Sequence, residues 1–168
     1  MAAIIERPDS DTIIDQSLAA GTSCDPTVKM IEQYIVYLVE DDLDDRKQML
    51  HTLRMSPYVA DIQCFSTCDQ LIAHFIKEGY YSGNLMRYIP TLIMLDIYMP
   101  GTNGIEMLRN LKEHPLTKEM PVIIVTGDTT HERARDAFKF KANAFLQKPL
   151  SLEHVHKVFE TGWDWPQA

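Results

Sequence analysis

Five short apolar runs alternate with amphipathic stretches from residue 34 onward, and this alternation limits the folds open to the chain. The runs lie near 34–39, 61–65, 91–96, 121–125 and 144–147. Apolar residues at helical spacing predict helices between and after them, near 43–55, 67–78, 104–113, 130–142 and 151–161. Five strand–helix units with short connections predict an α/β fold, a parallel sheet covered by helices on both faces.

Finer sequence signals place caps and edges within this frame. Leu43, Leu50 and Leu53 have the spacing of an apolar stripe in the first helix. Thr67 and Ser151 stand where helix N-caps belong, and Gly79 stands where a C-cap belongs. The runs at 36–39, 92–95 and 122–125 are almost wholly apolar, which predicts buried central strands. The run at 61–65 is mixed and predicts an edge strand.

The charge of the chain is acidic and unevenly spread. The formal net charge is −8, which argues against nucleic acid as the main partner. Residues 1–33 hold six acids and two bases, and Pro8, Gly21 and Pro26 interrupt them. We therefore expect a mobile or loosely packed N-terminal extension at 1–33, a single domain at 34–162 and a C-terminal tail at 163–168.

Cysteine usage and hydropathy predict a cytoplasmic protein. Cys24, Cys64 and Cys68 form an odd, irregularly spaced set, which suits a reducing compartment and lacks the second ligand pair of a zinc site. The apolar runs are much shorter than a bilayer span, and a basic segment followed by an apolar one does not open the sequence.

Four of the predicted strands end in side chains that can carry out chemistry. The first is followed by Glu40 and Asp41, the third by Asp96, the fourth by Thr126 and the fifth by Lys148. In parallel α/β sheets, ligands bind outside the carboxyl ends of the strands. We therefore expect these five side chains to share one rim of the sheet.

The chemistry of this set points to phosphoryl transfer. Glu40, Asp41 and Asp96 carry like charges that would repel one another without a compensating cation. A few carboxylates with room for water favour Mg²⁺. A carboxylate beside Mg²⁺ and the ammonium group of Lys148 is arranged to attack phosphorus and form an acyl phosphate. Thr126 would then donate its hydroxyl to a phosphoryl oxygen.

In order and at matching strand ends, these residues resemble those of two-component response regulator receiver domains over about residues 34–162. The resemblance implies that Asp96 is the phosphoacceptor. It implies that Glu40 and Asp41 are the Mg²⁺ acids and that the backbone carbonyl of Tyr98 is a further ligand. The fold it implies is flavodoxin-like, a doubly wound five-stranded parallel sheet of order 2-1-3-4-5 with five helices.

The resemblance also implies roles near the ends of the last two strands. Thr126 would be the switch hydroxyl, Phe145 the switch aromatic, and Lys148 the lysine before a cis-bonded Pro149. Phe145 replaces the more frequent Tyr, so it lacks a hydroxyl for hydrogen bonding. Tyr98 is bulky and lies two residues past the acceptor, where we expect it to restrict water and slow the loss of phosphate.

The function implied is a phosphorylation-dependent switch. A histidine kinase or histidine phosphotransfer protein would supply the phosphoryl group. Output would pass through protein–protein contact, with another protein or in a homodimer, rather than through DNA. Such a chain is a signalling phosphoacceptor that catalyses only its own phosphorylation and dephosphorylation.

The same strand-end residues allow two alternative functions. A hydrolase of the haloacid dehalogenase type needs a second Asp where the chain has Tyr98. A pseudo-receiver that binds partners without phosphorylation is the main alternative. Asp42, Asp44 and Asp45 are expected to form a solvated first helical turn that complements the helix dipole. Asp42 lies nearest the Mg²⁺ acids but is not expected to be a ligand.

Overall fold

The computed structural model describes residues 33–77, 91–128 and 131–161. Strands and helices alternate through these residues. They are β1 (Tyr34–Val39), α1 (Leu43–Arg54), β2 (Val59–Phe65), α2 (Cys68–Lys77), β3 (Thr91–Leu95), α3 (Gly104–Glu113), β4 (Val122–Thr126), α4 (His131–Lys139), β5 (Ala144–Gln147) and α5 (Leu152–Thr161). Each predicted strand and helix is present. Gly79 and most of the predicted extension and tail lie outside the described residues, so those boundaries stay a prediction.

The five strands form one parallel sheet of order β2-β1-β3-β4-β5, as the resemblance implied. Val39 is level with Leu95, and Thr126 is level with Gln147. This register matters for the site, because it brings the residues that follow β1 and β3 side by side. It also places the residue after β5 next to the end of β4.

Side chains of the sheet alternate between two hydrophobic cores, one on each face. One core joins the sheet to α1 and α5 through Leu38, Met94, Met49, Leu53 and Val155. The other joins it to α2, α3 and α4 through Val39, Leu95, Leu71, Leu108 and Ala137. The predicted helical cover on both faces is therefore confirmed. The part of the chain that the structure describes contains no helix long and apolar enough to cross a membrane.

The edge and cap predictions are also confirmed where the structure describes them. Strand β2 is an edge strand, with Ala60 and Asp61 exposed. The backbone N–H of Gln70 donates to Thr67 Oγ1 at 3.2 Å. The corresponding bond at the start of α5 runs from the N–H of His154 to Ser151 Oγ, also at 3.2 Å.

Two predicted details of the helices need correction. Leu43 is 60% exposed, because the buried side of α1 is centred on Met49 and Leu53. Helix α4 ends at Lys139, three residues before the predicted end at 142. Lys141 takes a left-handed conformation (φ 63°), and the N–H groups of residues 141 and 142 bond back to carbonyls in the last turn. This is a Schellman cap, which terminates a helix.

Candidate functional site

The acceptor predicted from the sequence, Asp96, follows β3 at the carboxyl end of the sheet. Its N–H donates to the carbonyl of Val39 at 3.1 Å, which continues the β1–β3 pairing by one step. Its Oδ1 accepts a hydrogen bond from the N–H of Ile97 at 2.7 Å. The residue is 5% exposed. The carboxylate is therefore held in one orientation by the backbone that follows it.

A tight turn after Asp96 leads the chain into α3. Gly101 takes φ 86°, a conformation that favours glycine, and Asn103 caps the helix by accepting from the N–H of Ile105. Gly104 donates its N–H to the carbonyl of Ile97. A Cβ at position 104 would overlap the carbonyl oxygen of Asp96. Glycine is thus required here by the close approach of α3 to the acceptor.

Three carboxylates meet at this rim. Carboxylate oxygens of Glu40, Asp41 and Asp96 lie within 4.8 Å of one another, with Asp41 half-buried. Glu40 is fully buried, and its Oε1 accepts the N–H of Asp42 at 3.2 Å. Burial raises the pKa of Glu40; the charge of Asp96 raises it further, and contact with Lys148 opposes both. The three carboxylates therefore lie close together, as the sequence predicted.

The ammonium group of Lys148 lies among the acids. Its Nζ is 2.6 Å from Glu40 Oε2, 2.9 Å from Asp45 Oδ2 and 3.1 Å from Asp96 Oδ2. The contact with Glu40 is an ion pair without the alignment of a hydrogen bond. Burial lowers the pKa of Lys148, but the close contacts with Glu40 and Asp45 and the charge of Asp96 outweigh burial and raise the pKa. The lysine therefore stays charged.

The chain around Lys148 is fixed by β4. The N–H of Lys148 donates to the carbonyl of Thr126 at 3.0 Å. The peptide bond from Lys148 to Pro149 is cis, as the resemblance implied.

A cleft of about 480 Å³ opens above the acids and the lysine. Its lining residues are Asp45, Asp96, Tyr98, Thr126, Gly127, Asp128, Lys148 and Pro149. Thr126 is buried, and its Oγ1 accepts the N–H of Asp128 at 3.3 Å. Tyr98 is 48% exposed, and its hydroxyl donates to Asp128 Oδ2 at 2.6 Å. The ring of Tyr98 and the side chain of Asp128 thus join the loops after β3 and β4 beside the cleft.

Phe145 differs in position from the other predicted site residues. It is half-buried on β5, level with Ile124, and packs against the core that includes α2, α3 and α4. The residues that line the cleft do not include it. If Phe145 takes part in switching, it would act through this core rather than by contact with Asp96. Its role as the switch aromatic stays a prediction.

One acid beside the cluster, Asp45, makes a contact that the sequence analysis missed. The prediction of a solvated first turn holds for Asp42, which caps α1, and for Asp44, whose side chain is 91% exposed. It is incomplete for Asp45, whose side chain is 47% exposed but is also ion-paired with Lys148. Helical spacing carries the missed signal. Asp45 lies four residues before Met49 and seven before Thr52, both buried, so its helix face points toward the sheet.

Comparison with known proteins agrees with this geometry. The family described as response regulator receiver domain matches residues 36–160. Two-component response regulator ARR17 of Arabidopsis thaliana is 29% identical over 150 residues, covering 82% of this chain and 91% of that protein. ARR7 of the same plant is 30% identical over 135 residues, covering 80% of this chain and 64% of its own length.

Solved structures show the same fold at lower identity. The Mn²⁺-bound form of response regulator Rcp1 matches with a TM-score of 0.58 and 23% identity, covering 76% of this chain and 89% of that chain. The chemotaxis protein CheY4 of Vibrio cholerae matches with a TM-score of 0.61 and 21% identity, covering 77% and 98%. From the family match over residues 36–160, together with the sheet order and the strand-end residues, we conclude that the chain belongs to the response regulator receiver domain family.

Proposed function

We propose that the chain is a phosphorylation-dependent switch in which Asp96 accepts the phosphoryl group. The observation that carries this proposal is the position of Asp96. Its carboxylate lies at the edge of an open cleft, 3.1 Å from the ammonium group of Lys148 and beside two further acids. This arrangement supplies a positioned nucleophile and a fixed positive charge. Positioning and charge stabilisation are what a protein mainly contributes to phosphoryl transfer.

The transfer step exchanges one bond to phosphorus for another. A carboxylate oxygen of Asp96 attacks the phosphorus of a phosphohistidine, the P–N bond breaks, and the imidazole nitrogen leaves with the electron pair. The product is an acyl phosphate on Asp96. Lys148 stabilises the negative charge on the transferred group, and Thr126 donates its hydroxyl to a phosphoryl oxygen after transfer.

The acids also fit a divalent cation. Glu40, Asp41 and Asp96 offer carboxylate oxygens at one point, and the ammonium group of Lys148 is shared among several acids, which leaves negative charge uncompensated. A hard cation with oxygen ligands suits such a set. These residues and the backbone carbonyl of Tyr98 would hold Mg²⁺, which would neutralise charge on the acids and the phosphoryl oxygens. The Mn²⁺-bound form of Rcp1 supports this assignment.

We infer the partners from the family to which the chain belongs. A histidine kinase or histidine phosphotransfer protein donates the phosphoryl group, and these donors place the chain in the cytoplasm. Phosphorylation shifts an existing equilibrium in the helices and loops after β4 and β5, with Thr126 and Phe145 as the switching residues. Output passes through contact with another protein or with a second copy of the chain.

Intact mass after incubation with acetyl phosphate tests the proposal. We expect the chain to gain one phosphoryl group when Mg²⁺ is present, and the Asp96→Asn variant to gain none. Asp44→Asn is the matched control, because it removes the same charge from an exposed residue and should leave the gain unchanged. A folded chain that binds Mg²⁺ and gains no mass would contradict the proposal. That result would favour an interaction module that works without phosphorylation.

A further inference from the structure

One face of α1 is bound to the segment that carries the site lysine. Asp45, Gln48 and Thr52 lie three and four residues apart, so their side chains project from the same side of the helix. All three contact residues 148–150, about a hundred positions later in the chain. We call these three residues the α1 stripe.

Gln48 binds the backbone of Leu150 through both ends of its amide. Its Nε2 donates to the carbonyl of Leu150 at 2.7 Å, and its Oε1 accepts the N–H of Leu150 at 3.1 Å. Thr52, which is buried, donates its hydroxyl to the same carbonyl at 3.1 Å. A paired contact of this kind fixes position and orientation together. It therefore sets where the backbone two residues after Lys148 can lie.

Asp45 acts on the other end of the same segment. Its Oδ2 lies 2.9 Å from Lys148 Nζ, and the ammonium group has three N–H donors. Glu40 and Asp96 are the other two acids within reach of those donors, and both belong to the acidic set that would hold a cation. Asp45 lies outside that set. Its ion pair can persist when the other two acids change partners.

We propose that the α1 stripe positions Lys148 for phosphoryl transfer, with Asp45 holding the ammonium group and Gln48 and Thr52 holding the backbone beyond it. This inference rests on the proposed function of the site. During transfer, the hydrogen bond that Lys148 donates to Asp96 is replaced by one to the phosphoryl group. The ion pair with Asp45 keeps the ammonium group in position when its contacts with Glu40 and Asp96 change. Asp45 and Gln48 are positioning residues, because each acts through the lysine.

Phosphorylation by acetyl phosphate at saturating Mg²⁺ tests the proposal without a protein donor. We expect Asp45→Asn to slow the reaction roughly tenfold, since small displacements of a catalytic group cost one to two orders of magnitude in rate. Gln48→Met, which keeps the side-chain volume and loses both bonds, should slow it in the same direction. Asp45→Glu should restore much of the rate, because it returns the carboxylate. Asp44→Asn is the control, since it removes an equal charge from the same turn.

A second measurement does not depend on phosphorylation. The ammonium group of Lys148 should give a resolved proton–nitrogen NMR signal, because it donates hydrogen bonds to Asp45 and Asp96 and is ion-paired with Glu40. Loss of the signal in Lys148→Arg assigns it. We expect Asp45→Asn to shift or abolish that signal and Asp44→Asn to leave it unchanged. An unchanged signal in Asp45→Asn overturns the proposal, as does a rate equal to that of Asp44→Asn. If the unaltered chain takes up no phosphoryl group, the proposed function fails, and the NMR signal alone decides the positioning.

Discussion

Tyr98 lines the cleft two residues after the acceptor. Its hydroxyl binds Asp128 at 2.6 Å, so a ring two residues after the acceptor is attached to the loop that follows β4. Tyr98 and Asp128 line the cleft through which water would approach the acyl phosphate that we propose forms on Asp96. The contact therefore gives a physical basis for the slow loss of phosphate that the sequence predicts.

We predict that Tyr98→Asn speeds the loss of phosphate roughly three- to tenfold, equivalent to roughly 1 kcal/mol in activation free energy. The smaller side chain opens the cleft to water. Tyr98→Phe should lie between this variant and the unaltered chain, since it loses the bond to Asp128 but keeps the ring. Decay of the phosphorylated mass after removal of the donor measures both rates. Equal decay in Tyr98→Asn and the unaltered chain would show that Tyr98 does not control access.

Residue-scale prediction from the sequence succeeded where a strand end fixed the position. Asp96 and Lys148 were predictable because apolar runs of strand length deliver them to the same edge of the sheet. Asp45 was not, because its partner lies 103 residues away and the acids around it are solvated. Only its place on the buried side of α1 separates it from Asp44.

At the scale of elements, the α3–β4 connection depends on a half-buried lysine. Lys112 Nζ donates to the carbonyls of Met120 at 2.7 Å and Lys118 at 3.3 Å, and to Asn143 Oδ1 at 3.0 Å. Asn143 Oδ1 also accepts the N–H of Val122, so the contact reaches β4. Burial lowers the pKa of Lys112 to about 8.

This lowered pKa predicts a specific pH dependence of stability. An unfolded chain holds the proton of Lys112 up to its ordinary pKa of 10.5, whereas the folded chain releases it near pH 8. The unfolded state therefore binds more protons between these values, and the free energy of unfolding contributed by Lys112 rises with pH across that window. We expect the difference in the free energy of unfolding between the unaltered chain and Lys112→Met to grow by about 1 kcal/mol from pH 8 to 10.5, because solvent screens a partly exposed amine. Urea unfolding at several pH values measures it; a difference that falls with pH would mean that the ammonium is favoured in the fold.

Elements themselves were the most predictable level of this structure. The central strands were identified by runs of apolar residues, and β2 by its mixed composition. Errors arose at ends, as at Lys141, where a lysine adopts a conformation that residue type alone does not indicate. The order of the strands came from the family resemblance, because the alternation of strands and helices fits more than one winding.

At the scale of the whole molecule, the site concentrates negative charge at the carboxyl ends of β1 and β3. Its acids belong to a chain of net charge −8, and the lysine among them is shared. A cation that binds this cluster in the folded state alone must stabilise the fold by mass action.

We therefore predict that Mg²⁺ raises the melting temperature of the chain. At a concentration ten times the dissociation constant, the gain is about 1.4 kcal/mol in the free energy of unfolding. Asp41→Asn should reduce the gain, because it removes a half-buried acid of the cluster, whereas Asp44→Asn should preserve it. Thermal unfolding monitored by circular dichroism, with and without Mg²⁺, compares the three chains. Equal gains in all three would place the cation elsewhere.

The ion pairs of Lys148 also have a consequence for biosynthesis. A ribosome makes the chain from its N-terminus, so the acid at position 45 is synthesised 103 residues before the lysine that it pairs with. Until β5 has emerged, Glu40 would have to be buried beside Asp96 without that amine, which opposes closure of the sheet around them. The nascent domain should therefore stay open at this rim until β5 and Lys148 have been synthesised. Repulsion between the acids of the site thus delays the last step of folding.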